Sequence, residues 1–147
     1  MNLAIIGSAN SAVDAALETY RKGAKKVTMI IREKQIGENV KYWARPDIIN
    51  RIKEGSIKAY FSSEVLKISN KSIVVKSKNK EIKIKNDFVL AMTGYQPNFA
   101  LLESLGVKFK KDKYKTPVYS EKTMESNIKG VYLAGVVCGG LKTNKWF

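Results

Sequence analysis

Histidine is absent from this chain, and cysteine occurs only once, at Cys138. Without histidine there is no Ser-His-Asp triad, no Cys-His nucleophile pair and none of the usual histidine-ligated metal sites. A single cysteine excludes an internal disulfide framework and a CxxC dithiol, and it is compatible with a reducing cytoplasm. We therefore predict no metal site and no catalytic residue in this chain, so any chemistry must come from a cofactor or from another chain.

The chain also lacks a long hydrophobic run. Its apolar stretches are about five to seven residues long, whereas a transmembrane helix needs roughly 20. The N-terminus has neither the basic segment nor the long apolar segment of a secretory signal. With 147 residues, 44% of them hydrophobic, the chain has enough apolar material for the core of one ordinary domain. We expect a cytoplasmic protein without a membrane partner.

Acidic residues are scarce, 13 against 27 basic ones, which gives a net charge of +14. Three explanations stay open: a lysine-rich composition spread over solvated faces, attraction of a polyanionic cofactor such as NADPH, or a nucleic acid surface. Much of the excess alternates with apolar or small residues, which predicts a hairpin with lysines on its solvated face. Aromatic residues do not alternate with these lysines, so nucleic acid is the least favoured partner. The lysines are Lys76, Lys78, Lys80, Lys83 and Lys85.

Residues 3–13 have the pattern of a short apolar strand, a tight turn at Gly7 and the start of a helix. This arrangement is typical of dinucleotide-binding folds, where the turn and the helix N-terminus face a pyrophosphate. The match is G-x-A-x-x-A, with Ala9 and Ala12 at the later glycine positions, and a plain strand-to-helix turn with small packing residues is the alternative. We predict that the pyrophosphate is bound by the backbone of Gly7, Ser8, Ala9, Asn10 and Ser11.

A helix over 11–22 and a buried strand over 26–31 follow, and Arg32 stands at the end of that strand. An acid at this position would bind the ribose 2′-hydroxyl of NAD, whereas arginine favours the 2′-phosphate of NADP. Lys34 is close enough to assist, while Glu33 argues in the opposite direction. NADPH is therefore predicted over NADH, and the alternative is that Arg32 is an ordinary charged residue at a strand end.

The rest of the pattern predicts an α/β protein with a Rossmann-like parallel sheet and an antiparallel β-meander. After a loop over 33–44, the expected elements are a helix beginning near Pro46, a strand over 57–61, meander strands near 64–68, 72–77 and 81–85, a buried strand over 88–92, a helix from Asn98 to Leu105 and a last buried strand over 130–135. The residues from Gly139 onward form no convincing element.

Several other positions are candidate ligand contacts. Thr93 and Gly94 follow a predicted strand, and Gly135 follows another, where glycine lets the backbone approach a ligand closely. The aromatic residues within 42–43 could flank a nicotinamide or flavin ring, or could pack beneath a loop. Cys138 lies beside valines, which favours a small buried hydrophobic residue over a redox thiol.

Longer motifs resemble the thioredoxin-reductase-like flavoproteins from residue 2 to the end of the chain. Besides the glycine turn and the arginine closing the second strand, the motifs are Ala-Met-Thr-Gly-Tyr-Gln-Pro over 91–97 and Gly-Val-Tyr-Leu-Ala-Gly over 130–135. The stretches 41–47, 51–61 and 135–140 look closer still to the YpdA-type branch, the bacillithiol-disulfide (bacilliredoxin) reductases.

This resemblance implies a two-domain oxidoreductase in which NADPH reduces FAD and the flavin reduces a low-molecular-weight or protein disulfide. It assigns residues 1–95 to an NADPH-binding domain and 96–147 to a partial FAD-domain segment. The family's first FAD-binding segment and its reactive cysteine are missing, and Val136 replaces the aspartate of thioredoxin reductases. We therefore expect a fragment, a truncated reading frame or one piece of a split protein, which binds NADPH, would bind FAD only when complete, and is inactive alone.

A non-enzymatic interaction module is the alternative function. The segment after residue 96 would leave apolar surface uncovered, and that surface would drive homodimerisation or pairing with a missing half. A basic nucleic-acid-binding domain is a third, less favoured function. The apolar residues concerned are Leu101, Leu102, Val131, Tyr132, Leu133 and Trp146.

Overall fold

A computed structural model describes residues 1–95 and 97–142 of the chain. The chain divides into two compact units, Met1–Thr93 and Gly94–Phe147. The predictions that involve Gln96 and Trp146 lie outside the described residues. Within the described ranges, no helix combines the length and the apolar character needed to cross a membrane. The same ranges contain no group of three side chains suited to hold a metal ion.

The first unit is built on a four-stranded parallel sheet, as the sequence predicted. Its strands are β1 Asn2–Ile6, β2 Lys26–Ile30, β3 Ile57–Tyr60 and, later in the chain, β7 Phe88–Ala91. They lie in the order β3-β2-β1-β7, and every neighbouring pair is parallel. Because the strands are parallel, their carboxyl ends share one edge of the sheet.

Two helices cover one face of this sheet, α1 Asn10–Arg21 and α2 Ala44–Lys53. The apolar side predicted for the first helix is confirmed, since Ala12, Val13, Ala16 and Leu17 are its buried residues. They pack with sheet residues, such as the fully buried Ile5, in one core cluster. The βαβ unit therefore holds the turn between β1 and α1 on a rigid support.

An antiparallel meander covers the opposite face, as predicted. It consists of β4 Ser63–Ser69, β5 Ser72–Ser77 and β6 Lys80–Lys85, in the order β4-β5-β6. Ala4 packs with the meander while its neighbour Ile5 packs with the helices, because successive side chains of a strand point to opposite faces. The predicted solvated lysines of the meander are all exposed.

The strand at 88–92 differs from its prediction as a buried strand. β7 lies at the edge of the sheet with β1 as its one strand partner among the described elements, and Phe88 is 58% exposed. An apolar run of this length fits a central or an edge strand equally well, so the pattern could not give its position.

The second unit contains a short helix, α3 Phe99–Ser104, which Asn98 caps: the backbone N–H of Leu101 donates to Oδ1 of Asn98 over 3.4 Å. The strand predicted over 130–135 is wrong. In the described part of this unit, residues 130–135 form one isolated β-bridge, between Tyr132 and Glu125. The backbone groups of Val131 and Leu133 hydrogen-bond to those of residues 126 and 124. A short 3₁₀ helix, Gly135–Gly139, follows where the sequence predicted no element.

The apolar surface predicted for this unit is partly wrong. Leu102 and Leu133 lie in its core with Val107 and Cys138, because the unit folds its own small cluster. Two of the predicted residues do stay at the surface: Leu101 is 58% exposed and Tyr132 is 62% exposed.

Candidate functional site

The turn between β1 and α1 is tightly enclosed. Gly7 has a φ of +130°, and a Cβ atom built on it would lie 2.5 Å from the carbonyl oxygen of Met92 and 3.2 Å from Cβ of Ala12. Its N–H donates to the carbonyl of Ile30 over 3.0 Å. Glycine is therefore required here by the backbone angle and by the close approach of the chain leaving β7, independently of any ligand.

The N-terminus of α1 carries no side-chain cap. Ala9 is the N-cap residue with an extended backbone, and the first turn contains no acidic residue. The carbonyl of Ala9 accepts the hydrogen bond of Val13 over 3.0 Å, so the amides between them lack intrahelical acceptors. These amides and the positive end of a twelve-residue helix suit an anionic group such as a pyrophosphate.

The side chain of Asn10 holds a neighbouring loop. Its Oδ1 accepts a hydrogen bond from the backbone N–H of Lys41 over 2.8 Å, and its Nδ2 donates to the carbonyl of Asn39 over 3.4 Å. The ammonium of Lys41 forms an ion pair of 2.7 Å with Asp14, one turn further along α1. Asn10 thus offers a ligand its backbone, while its side chain positions the loop over residues 33–43.

A carboxylate lies directly at the turn. Glu33 accepts a hydrogen bond of 2.8 Å from the hydroxyl of Ser8. That hydrogen bond is the largest cause lowering the pKa of Glu33, and the charge of Arg32 contributes less. The ionised carboxylate suits a ribose hydroxyl and opposes a nearby phosphate. The sequence showed an acid here but not that it reaches Ser8, 25 residues away.

Arg32 lies at the surface beside Glu33. Its side chain is 87% exposed and lies 3.7 Å from a carboxylate oxygen of Glu33. Lys34, its predicted assistant, is exposed and is not among the residues that line the cavity beside Arg32. This open cavity measures about 450 Å³ and lies within the first unit. It is lined by Arg32, Ser62, Ser63, Glu64, Lys76, Lys78 and Asn79.

Tyr42 and Trp43 are both at the surface, 83% and 63% exposed, with ring centroids 4.8 Å apart in an edge-to-face arrangement. The alternative that these rings pack beneath a loop is therefore wrong. Their exposure leaves both rings accessible to a ligand or a partner.

The remaining candidates lie at the end of β7 and in the second unit. Thr93 and Gly94 are exposed, and Gly94 has a φ of +103° with open space where a Cβ would be. Gly135, with a φ of +82°, begins the 3₁₀ helix of the second unit. Cys138 is fully buried, and burial raises the pKa of its thiol, which fits a core residue better than a redox thiol.

A family model described as pyridine nucleotide-disulphide oxidoreductase matches residues 1–135. The chain belongs to this family. Membership implies a flavin and NAD(P)H as the family's cofactors, and the resemblance found in the motifs is confirmed.

Relatives in the family include bacilliredoxin reductase Bdr of Bacillus subtilis (strain 168), 41% identical over 147 residues that cover 99% of this chain and 45% of the relative. Bacillithiol disulfide reductase Bdr (YpdA) from Bacillus cereus is 34% identical, with a TM-score of 0.91, covering 99% of this chain and 44% of that one. Thioredoxin reductase of T. acidophilum shares the fold, with 24% identity, a TM-score of 0.75 and coverage of 95% and 45%. This chain thus spans less than half the length of these relatives.

Proposed function

We propose that the first unit binds NADPH as the pyridine-nucleotide-binding part of a disulfide oxidoreductase. The observation that supports this most directly is the uncapped N-terminus of α1 behind Gly7, at the edge where the carboxyl ends of the parallel strands meet. Ligands of open α/β sheets bind at this edge.

Most of the predicted contacts have a proposed role. The backbone of residues 7–11 holds the pyrophosphate, and Arg32 attracts the 2′-phosphate while Glu33 accepts a hydrogen bond from a ribose hydroxyl. Thr93, at the carboxyl end of β7, lies on the nicotinamide side. Lys34, Gly94 and Gly135 stay predictions from the sequence. The division into a nucleotide-binding domain over 1–95 and a partial FAD-domain segment over 96–147 stays a prediction from the resemblance.

For a protein in which this chain acts together with a flavin-binding part, we propose reduction of a disulfide substrate of the kind that the names of the relatives give, a bacillithiol disulfide or a bacilliredoxin. NADPH, when bound, would supply a hydride, that is, the two electrons needed to reduce a disulfide to two thiols. The described chain would contribute nucleotide binding and orientation. We expect it to bind NADPH without turnover on its own, in the cytoplasm.

Calorimetric titration with NADPH and with NADH tests this proposal. We expect NADPH to bind more tightly, and Arg32→Ala to weaken NADPH binding while NADH affinity stays nearly unchanged. Absence of binding by either nucleotide would overturn the proposed function. Equal affinity for both would retain nucleotide binding and reject the role of Arg32.

A second candidate function is association with another chain through the second unit. Leu101 on α3 and Leu105, the C-cap residue of that helix, are 58% and 49% exposed. Together with Tyr132 they give this unit exposed apolar side chains that a second copy or a separate half could cover. Light scattering over a range of protein concentrations tests this, and a monomer at the highest concentration would count against it.

A further inference from the structure

We propose that the hairpin between β5 and β6 binds the 2′-phosphate of the nucleotide, with Lys76 and Lys78 acting beside Arg32. The inference rests on the proposed function, because it deepens the same site by naming the residues that distinguish NADPH from NADH. Lys34, which the sequence indicated as a possible assistant to Arg32, does not line the cavity beside that residue.

Backbone hydrogen bonds connect the hairpin to Arg32. The N–H groups of Ser62 and Ser63 donate to the carbonyls of Glu33 and Ile31, the two neighbours of Arg32, each over 2.9 Å. Ser63 in turn pairs with Ser77, which stands between the two lysines. The three cations are therefore brought to one cavity by secondary structure, although Arg32 and the hairpin are far apart in sequence.

The charge balance of the cavity favours an anion. Arg32, Lys76 and Lys78 line it together with Glu64, and Glu33 lies 3.7 Å from Arg32, so three cations stand against two carboxylates. Among the described residues, neither lysine takes part in an ion pair. A phosphate monoester carries close to two negative charges at neutral pH and matches this excess of positive charge.

The turn between β5 and β6 holds Lys78 in a backbone conformation that is unfavourable for a lysine. Lys78 and Asn79 have φ values of +49° and +60°, the left-handed conformation of both central residues in a tight hairpin turn. Asparagine and glycine are preferred at such positions, whereas a long side chain is uncommon there. A strained residue at the rim of a cavity is typical of a binding site, so the choice of lysine supports a role for its charge.

The test compares two double variants that remove the same charge. Lys76→Ala with Lys78→Ala alters the cavity, and Lys83→Ala with Lys85→Ala alters exposed lysines of β6 that do not line it. Both pairs are exposed, so both variants should keep the fold, which circular dichroism verifies. NADPH, NADH and adenosine 2′-monophosphate serve as the probes in calorimetric titrations.

We expect the cavity variant to bind NADPH and adenosine 2′-monophosphate about tenfold or more weakly, because charge-assisted hydrogen bonds are lost, and to bind NADH as before. The control variant should change all three affinities by less than about twofold through screened, long-range charge. Equal losses in the two variants, or an unchanged NADPH affinity in the cavity variant, would overturn the inference and leave nucleotide binding intact. If the unaltered chain binds neither nucleotide, the proposed function fails, and this inference fails with it.

Discussion

Replacing Gly7 by alanine is the sharpest test of how the nucleotide turn is built. The added Cβ would lie 2.5 Å from the carbonyl oxygen of Met92, a separation that real Cβ atoms essentially never show. Neither neighbour can move easily. The N–H of Met92 is bound to the carbonyl of Ile6 over 2.9 Å, and Ala12, on the other side, is fully buried in α1.

The expected loss of stability in Gly7→Ala is the sum of two costs. An L-residue at a φ of +130° stores about 1–3 kcal/mol of backbone strain. Forcing an extra methyl group into a packed site adds about 1–3 kcal/mol. We therefore expect Gly7→Ala to lower the free energy of unfolding by about 2–6 kcal/mol, a large part of the roughly 5–15 kcal/mol of an ordinary domain.

Gly23→Ala is the matched control, since Gly23 also has a positive φ, +81°, but open space where a Cβ would be. It should cost only the backbone term, about 1–2 kcal/mol. Urea unfolding followed by far-ultraviolet circular dichroism measures both variants, with a shifted midpoint at an unchanged slope as the sign of a stability change. If Gly7→Ala is no more destabilising than Gly23→Ala, the argument from the Met92 contact is refuted.

Three further predictions use other contacts of the chain. Asn10→Ala should cost about 1 kcal/mol and speed amide exchange at Lys41, measured by hydrogen exchange, because the backbone N–H loses its acceptor. Ser8→Ala should raise the pKa of Glu33, followed by carboxyl NMR. Because folding lowers this pKa, Glu33 stabilises the fold above its unfolded pKa and loses that effect as the pH falls through the folded value. The Cys138 thiol should react slowly with maleimide in the folded chain and rapidly in denaturant, since burial raises its pKa; fast labelling of the folded chain would contradict the buried position.

Local patterns predicted the elements around the glycine turn closely. The helix expected over 11–22 is Asn10–Arg21, and the strand expected over 26–31 is Lys26–Ile30. The helix has an apolar side that packs on the sheet, and the strand is an apolar run buried at four consecutive positions within the sheet. The meander was predictable because β5 and β6 alternate more buried residues with more exposed ones.

Contacts between residues that are far apart in the sequence could not be predicted from local patterns. The hydrogen bond between Ser8 and Glu33, and the cavity that Lys78 and Arg32 both line, depend on strand order and register, which composition and period do not contain. The strand predicted over 130–135 failed on similar grounds. An apolar run favours a strand, but whether it forms one depends on a neighbouring strand that can pair with it.

The position of β7 implies an order of folding at the edge of the sheet where we propose that the nucleotide binds. Its register with β1 pairs Leu3 with Phe88, and the N–H of Asn2 donates to Asp87 across 85 residues of sequence. Closing so long a loop costs chain entropy that is recovered only after the intervening strands have formed. Since the same step brings Met92 against Gly7, the turn should take its final shape late, and nucleotide binding during refolding should report the closure of this loop rather than the formation of α1.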